Sequence, residues 1–175
     1  MSEDVRVRRL GANEAVTCVD ALADVLVDCV EGGASVSFML PLSRERALAF
    51  WRGVADGVAR NERALLIAED GEGRIVGTVQ LNMAQPDNQP HRADVAKMLV
   101  CRSARRLGIA QKLMHVVDEV ARAEGKSVLV LDTVTGGDAE RLYARAGWQR
   151  VGDVPRYALM PDGEYCGTTF YYKHL

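Results

Sequence analysis

The segment Met98–Val117, MLVCRSARRLGIAQKLMHVV, constrains the fold more than any other part of the chain. An apolar run ends at Val100, basic residues and Gly108 follow, and an amphipathic helical pattern begins at once. That pattern ends at Gly125, and the short, almost wholly apolar run SVLVLDT then predicts a buried strand. A strand, a helix and a second buried strand in this order favour a domain in which helices pack on a β-sheet.

Further strands and helices are predicted around this unit. The strongest hairpin pattern is DGEGR, between the apolar runs RALLIAE and IVGTVQLNM, and Ser43 is a suitable N-cap for a helix. The other predicted elements are a strand at Asp4–Leu10, a helix at Asn13–Val30, a strand RADVAKMLV, a helix at Asp138–Arg145, and strands WQRVGDV and TTFYYKHL. Together they describe one mixed α/β sheet of about seven strands with about four helices packed on it. A chain of 175 residues that is 48% hydrophobic suits a single domain over residues 1–175.

Charge and hydropathy exclude several classes of partner. Lys and Arg number 22 and Asp and Glu number 24, so the net charge of −2 gives no footprint of nucleic acid binding. No apolar run approaches the ~20 residues that span a bilayer, and the start MSEDVRVRRL has no apolar core like that of a secretory signal. We therefore expect no membrane partner and a cytoplasmic protein.

The four cysteines do not form a metal-binding pattern. Cys18, Cys29, Cys101 and Cys166 are scattered along the chain without a CxxC pair, and the three histidines lie far apart. We expect reduced thiols and no metal, with Cys18 and Cys29 packed on the apolar face of the first helix.

The turn between the strand and the helix of the opening segment suits an anion. The helix beginning near Leu107 presents free backbone N–H groups and the positive end of its dipole, and Gly108 allows close approach to the main chain. Arg105 and Arg106 add positive charge at a position where the dipole disfavours it by ~0.3–1 kcal/mol each. Either the helix merely starts with basic residues, or a phosphate-bearing ligand compensates them, which we favour. No Gly-Lys-Ser/Thr follows and Ala110 replaces a second glycine, so nucleotide hydrolases and dehydrogenases are disfavoured.

Two motifs carry a resemblance to the GNAT acetyltransferase superfamily. RRLGIA at 105–110 resembles its R/Q-x-x-G-x-G/A motif, and Ala139, Leu142, Tyr143, Gly147 and Trp148 resemble A-x-x-L-Y-x-x-x-G-F/W. The resemblance covers the whole chain and implies a mixed, mostly antiparallel sheet and acetyl-CoA as co-substrate. It implies that backbone groups of Met98 and Val100 hold the pantetheine arm and that an N–H near Leu99 polarises the thioester carbonyl. The implied pyrophosphate site comprises Arg105, Arg106, Leu107, Gly108, Ile109 and Ala110.

A closer resemblance is to the tabtoxin-resistance acetyltransferases. EGGASVSFM, RADVAKMLV, VLDT and PRYALMPDGEYCGTTFYYK are similar to segments of that group. Many members of the superfamily have asparagine where this chain has Gly136, so the polar contact at this position is expected from the backbone or from Asp138. The acceptor site implied by this resemblance comprises Ser35, Phe38, Met39 and Tyr157, although Phe38 and Met39 also suit the core.

Acetyl transfer to an amine needs a base and an acid. An alkyl amine has a pKa of ~10.4 and must lose a proton, for which Asp94 and Asp132 are the candidates. Asp132 interrupts an apolar run, where it serves either the reaction or a structural pair; Asp94 is either a base or a solvated strand end. Tyr143 is the candidate acid for the departing thiolate, or else an aromatic anchor for its helix.

These residues favour an acetyl-CoA-dependent N-acetyltransferase whose acceptor is a small amine. Two acidic candidates suit a cationic or amino-acid-like acceptor, and the resemblance adds toxin- or antibiotic-like amines. Three other interpretations stay open: a non-catalytic acyl-CoA-binding domain, a domain that binds no nucleotide, and a protein N-acetyltransferase. The chain is expected as a monomer or a homodimer, since the strand TTFYYKHL either pairs with another chain or is covered within one subunit.

Overall fold

The computed structural model describes residues 4–175, which form one mixed sheet with helices on both faces. The strands are β1 (Arg6–Arg9), β2 (Arg63–Glu69), β3 (Ile75–Asn82), β4 (Arg92–Val100), β5 (Val128–Val134), β6 (Gln149–Leu159) and β7 (Tyr165–His174). The helices are α1 (Ala12–Thr17), α2 (Val19–Glu31), α3 (Arg44–Ala59), α4 (Ile109–Ala123) and α5 (Ala139–Arg145), with a 3-10 turn at Arg102–Ala104. Within residues 4–175, no helix combines the length and the apolar character needed to cross a bilayer.

The seven strands lie in the order β1-β2-β3-β4-β5-β7-β6, and every neighbouring pair is antiparallel except β4 and β5. Helices α1, α2 and α3 cover one face, where Leu65 and Ile67 of β2 join their core. Helices α4 and α5 cover the other, where Leu66 packs with Leu113 and Tyr143. Because alternate side chains of a strand point to opposite faces, β2 is apolar on both sides and reads as a continuous hydrophobic run.

The predicted order of elements is confirmed, and several boundaries follow directly from local chemistry. The Ser43 hydroxyl accepts a hydrogen bond of 3.2 Å from the Arg46 N–H and caps α3. Helix α4 ends just before Gly125, which adopts a φ of +74° that favours glycine. Asp70 holds the β2–β3 turn through bonds from the N–H groups of Glu72 and Arg74.

The prediction of one continuous helix at Asn13–Val30 was wrong. The chain forms α1 and α2, with a break at Cys18, because the Thr17 hydroxyl donates to the Asn13 carbonyl oxygen at 2.9 Å and bends the helix. Val16, expected on the apolar stripe, is 64% exposed. Cys18 is half-buried and Cys29 is buried, so only α2 continues the predicted stripe into the core.

The C-terminal hairpin is longer than the apolar pattern indicates. Strand β6 extends to Leu159 and β7 begins at Tyr165, ahead of the predicted TTFYYKHL. The pairing of β6 shifts between Val154 and Ala158, and this irregularity, together with its mostly exposed residues, removes the alternation that marks a strand. Strand β7 lies between β5 and β6, so the edge strand at this end of the sheet is β6 rather than β7.

Candidate active site

Strands β4 and β5 pair over a short distance and then diverge. Their parallel register comprises only Arg92 with Val128, Ala93 with Leu129, and Asp94 with Val130. Beyond these three pairs the strands separate around a cavity of about 550 Å³. A second cavity of about 370 Å³ adjoins it, between β5, the loop at 33–42 and the β6–β7 hairpin. The cavities share five residues of their walls, which are Ser35, Ser37, Asp132, Thr133 and Val134. A bipartite space of this kind suits two substrates that meet at Asp132.

The turn before α4 forms an open cradle at the mouth of the larger cavity. Arg106 and Gly108 have φ values of +65° and +74°, so the turn folds tightly immediately before Ile109. A Cβ on Gly108 would have no atom within 4 Å, and it would project into the open space before the helix. In the part of the chain that the structure describes, the backbone N–H groups of residues 106–110 have no protein acceptor.

Positive charge accompanies these free N–H groups. Arg105 lines the larger cavity, Arg106 and Leu107 are exposed, and the first turn of α4 holds no acidic residue. A pyrophosphate fits such a cradle, because backbone N–H donors, the positive end of a helix dipole and guanidinium groups all lie beside it. The turn at 105–110 thus combines free N–H groups with positive charge, and its binding of an anion stays a prediction.

A β-bulge shapes the wall formed by β4. Gln80 pairs with Ala96 and Thr78 with Leu99, so β4 carries one more residue than β3 over this distance. Met98 lines the larger cavity, while Leu99 is buried and Val100 half-buried. Met98, whose backbone the resemblance implies for the pantetheine arm, thus lies at the wall of the larger cavity.

Asp132 and Tyr143 line the same cavity from opposite faces of the sheet. Asp132 pairs with Phe170, whose ring contacts Tyr157, and this face is turned away from α4 and α5. Asp132 is exposed to the cavity rather than buried in its strand, and it accepts a 2.9 Å hydrogen bond from the Thr168 hydroxyl. Two titratable side chains therefore flank the gap without a hydrogen bond between them.

Tyr143, a residue of α5, lies on the other face of the sheet. Its ring packs against Trp148 and Tyr171 at centroid distances of 6.1 and 5.9 Å, so the tyrosine also anchors its helix. Burial, and secondarily the negative charge of Asp132, raises the pKa of Tyr143 to about 12. The hydroxyl is therefore protonated at neutral pH.

The structure does not bring Asp94 into either cavity. Its carboxylate forms an ion pair with Arg92 and accepts a 3.1 Å hydrogen bond from Gln85. These contacts occupy both oxygens at the point where β4 and β5 separate. Asp94 thus lies at the closed end of the gap, outside the cavity that Asp132 and Tyr143 line.

The segment before α5 closes the larger cavity on the β5 side. Gly136 has a φ of +77° and its N–H donates to Glu140 Oε2 at 2.8 Å. Asp138 is exposed, lines the cavity and makes no side-chain cap to α5. Of the two residues, Asp138 lines the larger cavity, whereas the Gly136 N–H is already bonded to Glu140, so the predicted polar contact to the co-substrate stays a prediction for Asp138.

The predicted acceptor residues come together around the smaller cavity. Ser35, Phe38, Met39 and Tyr157 all line it. Phe38 is also part of the core, in edge-to-face contact with Phe50 at 5.2 Å, whereas Met39 and Tyr157 are exposed. The four side chains, from the loop at 33–42 and from β6, therefore lie around one cavity.

Three contacts at this site are missed by the sequence analysis. The Leu40 N–H donates to the Pro161 carbonyl oxygen at 3.0 Å and joins the loop at 33–42 to the β6–β7 turn. Thr168 holds Asp132, and Lys97 lines the larger cavity on the bulge of β4. The only signal for Lys97 is a charge inside the otherwise apolar run VAKMLV, and the other two contacts leave none.

Metal ligands are not gathered at this site or elsewhere in the described chain. Across residues 4–175, no group of three or more His, Cys, Asp or Glu side chains could hold a metal ion. The four cysteines are free thiols, and burial raises the pKa of Cys29 to about 12.

Known proteins share this architecture. An N-acetyltransferase from Staphylococcus aureus Mu50 superposes with a TM-score of 0.79 at 18% identity, over 98% of each chain. The structure of yncA from Salmonella typhimurium with its cofactor acetyl-CoA also gives a TM-score of 0.79, at 17% identity over 98% of this chain and 94% of that one. These superpositions show a common fold.

Sequence comparisons establish the family. An uncharacterized N-acetyltransferase from the hisH-hisA intergenic region of Azospirillum brasilense is 34% identical over 131 residues, 74% of this chain and 75% of that protein. The N-alpha-acetyltransferase daf-31 of Caenorhabditis elegans is 45% identical over 105 residues, 56% of this chain and 54% of that protein. The family model described as Acetyltransferase (GNAT) family matches residues 31–148. The chain therefore belongs to the GNAT family of acetyltransferases, enzymes that transfer the acetyl group of acetyl-CoA.

Proposed function

We propose that this protein transfers the acetyl group of acetyl-CoA to the amine of a small, amino-acid-like acceptor. One observation carries the proposal: two adjoining cavities meet at Asp132, and Tyr143 faces the same space from the other side of the sheet. The larger cavity ends at Arg105, beside the cradle that fits a pyrophosphate, and is therefore assigned to acetyl-CoA. The smaller cavity is assigned to the acceptor.

Asp132 is proposed as the base. An ammonium has no free electron pair, so the acceptor must lose a proton before or during its attack on the thioester carbonyl carbon. Asp132 stands where the two cavities meet, and the Thr168 hydroxyl fixes one of its oxygens at 2.9 Å. Its other oxygen receives no hydrogen bond within residues 4–175 and is available to the amine, directly or through water.

Tyr143 is proposed as the acid. The carbon–nitrogen bond forms as the carbon–sulfur bond breaks, and the electron pair of that bond goes to the sulfur of coenzyme A. Tyr143 then donates its proton to this thiolate from the α5 side, while the proton of the amine leaves on the Asp132 side. Because the two proton transfers use opposite faces of the gap, acid and base do not neutralise each other.

A small acceptor is favoured over a polypeptide by the bridge across the acceptor side. The hydrogen bond from Leu40 to Pro161 joins the loop at 33–42 to the hairpin, and the Ser35 hydroxyl adds a 3.3 Å bond to the Leu159 carbonyl oxygen. A peptide chain would need this bridge to open. The resemblance to the tabtoxin-resistance group also supports an amino-acid-like acceptor.

A protein amine is the second candidate, because the Caenorhabditis elegans relative is named an N-alpha-acetyltransferase. The two candidates are separated by supplying both kinds of acceptor to the purified protein. We expect coenzyme A release with amino acids and small amines, and slower release with peptides that carry a free N-terminus. Faster release with peptides would overturn the small-acceptor proposal.

Two matched variants test the assignment of the base. Asp132→Asn is expected to lower kcat about a hundredfold or more, the usual contribution of a positioned base, with acetyl-CoA affinity unchanged. Asp94→Asn serves as the control and is expected to keep activity within about threefold, since its carboxylate is paired outside the cavities. The reverse pattern would transfer the role of base to Asp94.

A further inference from the structure

Lys97 occupies a constrained position inside the larger cavity. It has a φ of +53°, an uncommon value for a residue other than glycine, and it lies within the bulge of β4. A bulge re-aims a side chain relative to a regular strand, and here it directs Lys97 toward the loop at 33–42 and α3. Lys97 itself lines only the larger cavity, but Ser37 lines both, so the contact with Ser37 brings the ammonium to the boundary with the smaller cavity.

The ammonium group of Lys97 has no anionic partner in the described chain. Its Nζ donates to the Ser37 hydroxyl at 3.0 Å and lies 6.0 Å from the ring centre of Phe50, and no carboxylate of residues 4–175 forms an ion pair with it. Burial lowers its pKa, which the negative charge of Asp132 opposes from across the cavity. A half-buried cation with a neutral hydroxyl as its hydrogen-bonding partner is costly to maintain unless a ligand supplies the counter-charge.

Asp132 is too far away to supply that counter-charge directly. The two side chains line one cavity, yet their charged atoms are separated by more than the 4.0 Å of an ion pair. The boundary between the two cavities therefore presents a carboxylate and an ammonium that are not paired with each other. The complementary ligand carries a positive amine at one end and an anion at the other.

We propose that Lys97 binds the carboxylate of the acceptor and so selects amino acids over amines without an acidic group. The inference rests on the proposed function, because the amine of the same molecule faces Asp132. Ser37, which lines both cavities, holds the Lys97 ammonium at the boundary between them. Lys97 is thus a specificity residue, whereas Asp132 and Tyr143 act on the reacting atoms.

The test compares amino acids with their amides, which keep the amine and the side chain but lack the carboxylate. The wild-type protein is expected to favour the amino acid by roughly ten- to hundredfold in kcat/KM, the value of a charge-assisted hydrogen bond in a partly buried site. Lys97→Met is expected to remove this preference by raising KM for the amino acid, with little change for the amide. Lys112→Met, an exposed change on α4, is the matched control and should leave the preference unaltered.

The outcomes separate this inference from the proposed function. Equal losses for amino acid and amide in Lys97→Met, or a wild-type protein that acetylates amides as well as amino acids, would overturn the role of Lys97 while acetyl transfer stands. No coenzyme A release with any amine would instead overturn the proposed function. Calorimetric binding of acetyl-CoA to Lys97→Met, expected to equal the wild type, shows that the variant is folded and that its change concerns the acceptor.

Discussion

The close contact between β3, β4 and α4 at Gly77 gives the sharpest prediction for stability. A Cβ at this position would stand 3.1 Å from the Leu99 carbonyl oxygen, 3.2 Å from Ile109 Cγ2 and 3.4 Å from Leu113 Cδ1. The first of these atoms belongs to the backbone and cannot rotate away, so Gly77→Ala must displace β4 or α4. Overpacking of this kind costs about 1–3 kcal/mol.

Replacing glycine also stabilises the strand, because glycine loses more backbone entropy on folding than alanine does, by roughly 0.5–1 kcal/mol. With about 2 kcal/mol for overpacking and about 0.75 kcal/mol for backbone entropy, the net destabilisation expected for Gly77→Ala is about 1 kcal/mol. Gly53 is the matched control, since it is exposed in the middle of α3 and a Cβ there meets no atom within 4 Å. Gly53→Ala is expected to stabilise the protein by roughly 0.5–1 kcal/mol.

Urea denaturation measures both changes as shifts of the midpoint at constant slope. In a chain of this length, 1 kcal/mol corresponds to about 2–4 °C in Tm, so the two variants should move in opposite directions by resolvable amounts. Because Ile109 is the first residue of α4, Gly77→Ala should also weaken acetyl-CoA binding, which Gly53→Ala should not. A Gly77→Ala protein as stable as the wild type, beside a stabilised Gly53→Ala, would refute the close packing of α4 on β3.

Three further predictions follow from charge and burial. Arg106→Glu changes the charge beside the cradle by two units, and each charge contributes ~1 kcal/mol in water, so acetyl-CoA should bind roughly ten- to thirtyfold more weakly. The difference should be smaller at high salt. Calorimetry measures both affinities, with Arg52→Glu on α3 as the control. Tyr143→Phe should lower kcat about a hundredfold. Because burial raises the pKa of Tyr143 to about 12 and the acid form exists below that value, the wild-type pH–rate profile should show no loss from this group as pH rises from neutral toward it. Iodoacetamide should modify half-buried Cys166 before buried Cys29, because the raised pKa of Cys29, about 12, keeps it a thiol. Mass spectrometry measures the two rates, and equal rates would contradict the buried setting of Cys29.

The sequence predicts those parts of the fold in which one residue determines a local outcome. Gly125 ends α4 because its backbone adopts a positive φ, and Ser43 caps α3 with its own hydroxyl. The cradle at 105–110 is predictable for the same reason, since helix N–H groups, glycine and arginine all act within one turn. Such features need no knowledge of distant contacts.

Features that depend on distant partners were not predictable. Asp94 and Asp132 look equivalent as acids in apolar strands, and only the ion pair of Asp94 with Arg92 separates them. Lys97 reaches Ser37, at the boundary of the two cavities, from a bulge in β4. The bulge interrupts the period-two alternation from which the orientation of a strand side chain is predicted. The exposed residues of β6 carry no apolar pattern, and its pairing with β7 alone makes it a strand.

The short ladder between β4 and β5 has a mechanical consequence. With only three paired positions, it is the narrowest junction in a sheet whose other strands pair over most of their length. Strands β1 to β4 and strands β5 to β7 are therefore two parts of one sheet, joined by few strand hydrogen bonds. Acetyl-CoA bound as proposed, against β4 and the α4 turn and opposite β5, would bridge the two parts where those hydrogen bonds are missing. We therefore expect binding of the co-substrate to make the sheet more rigid around the acceptor cavity.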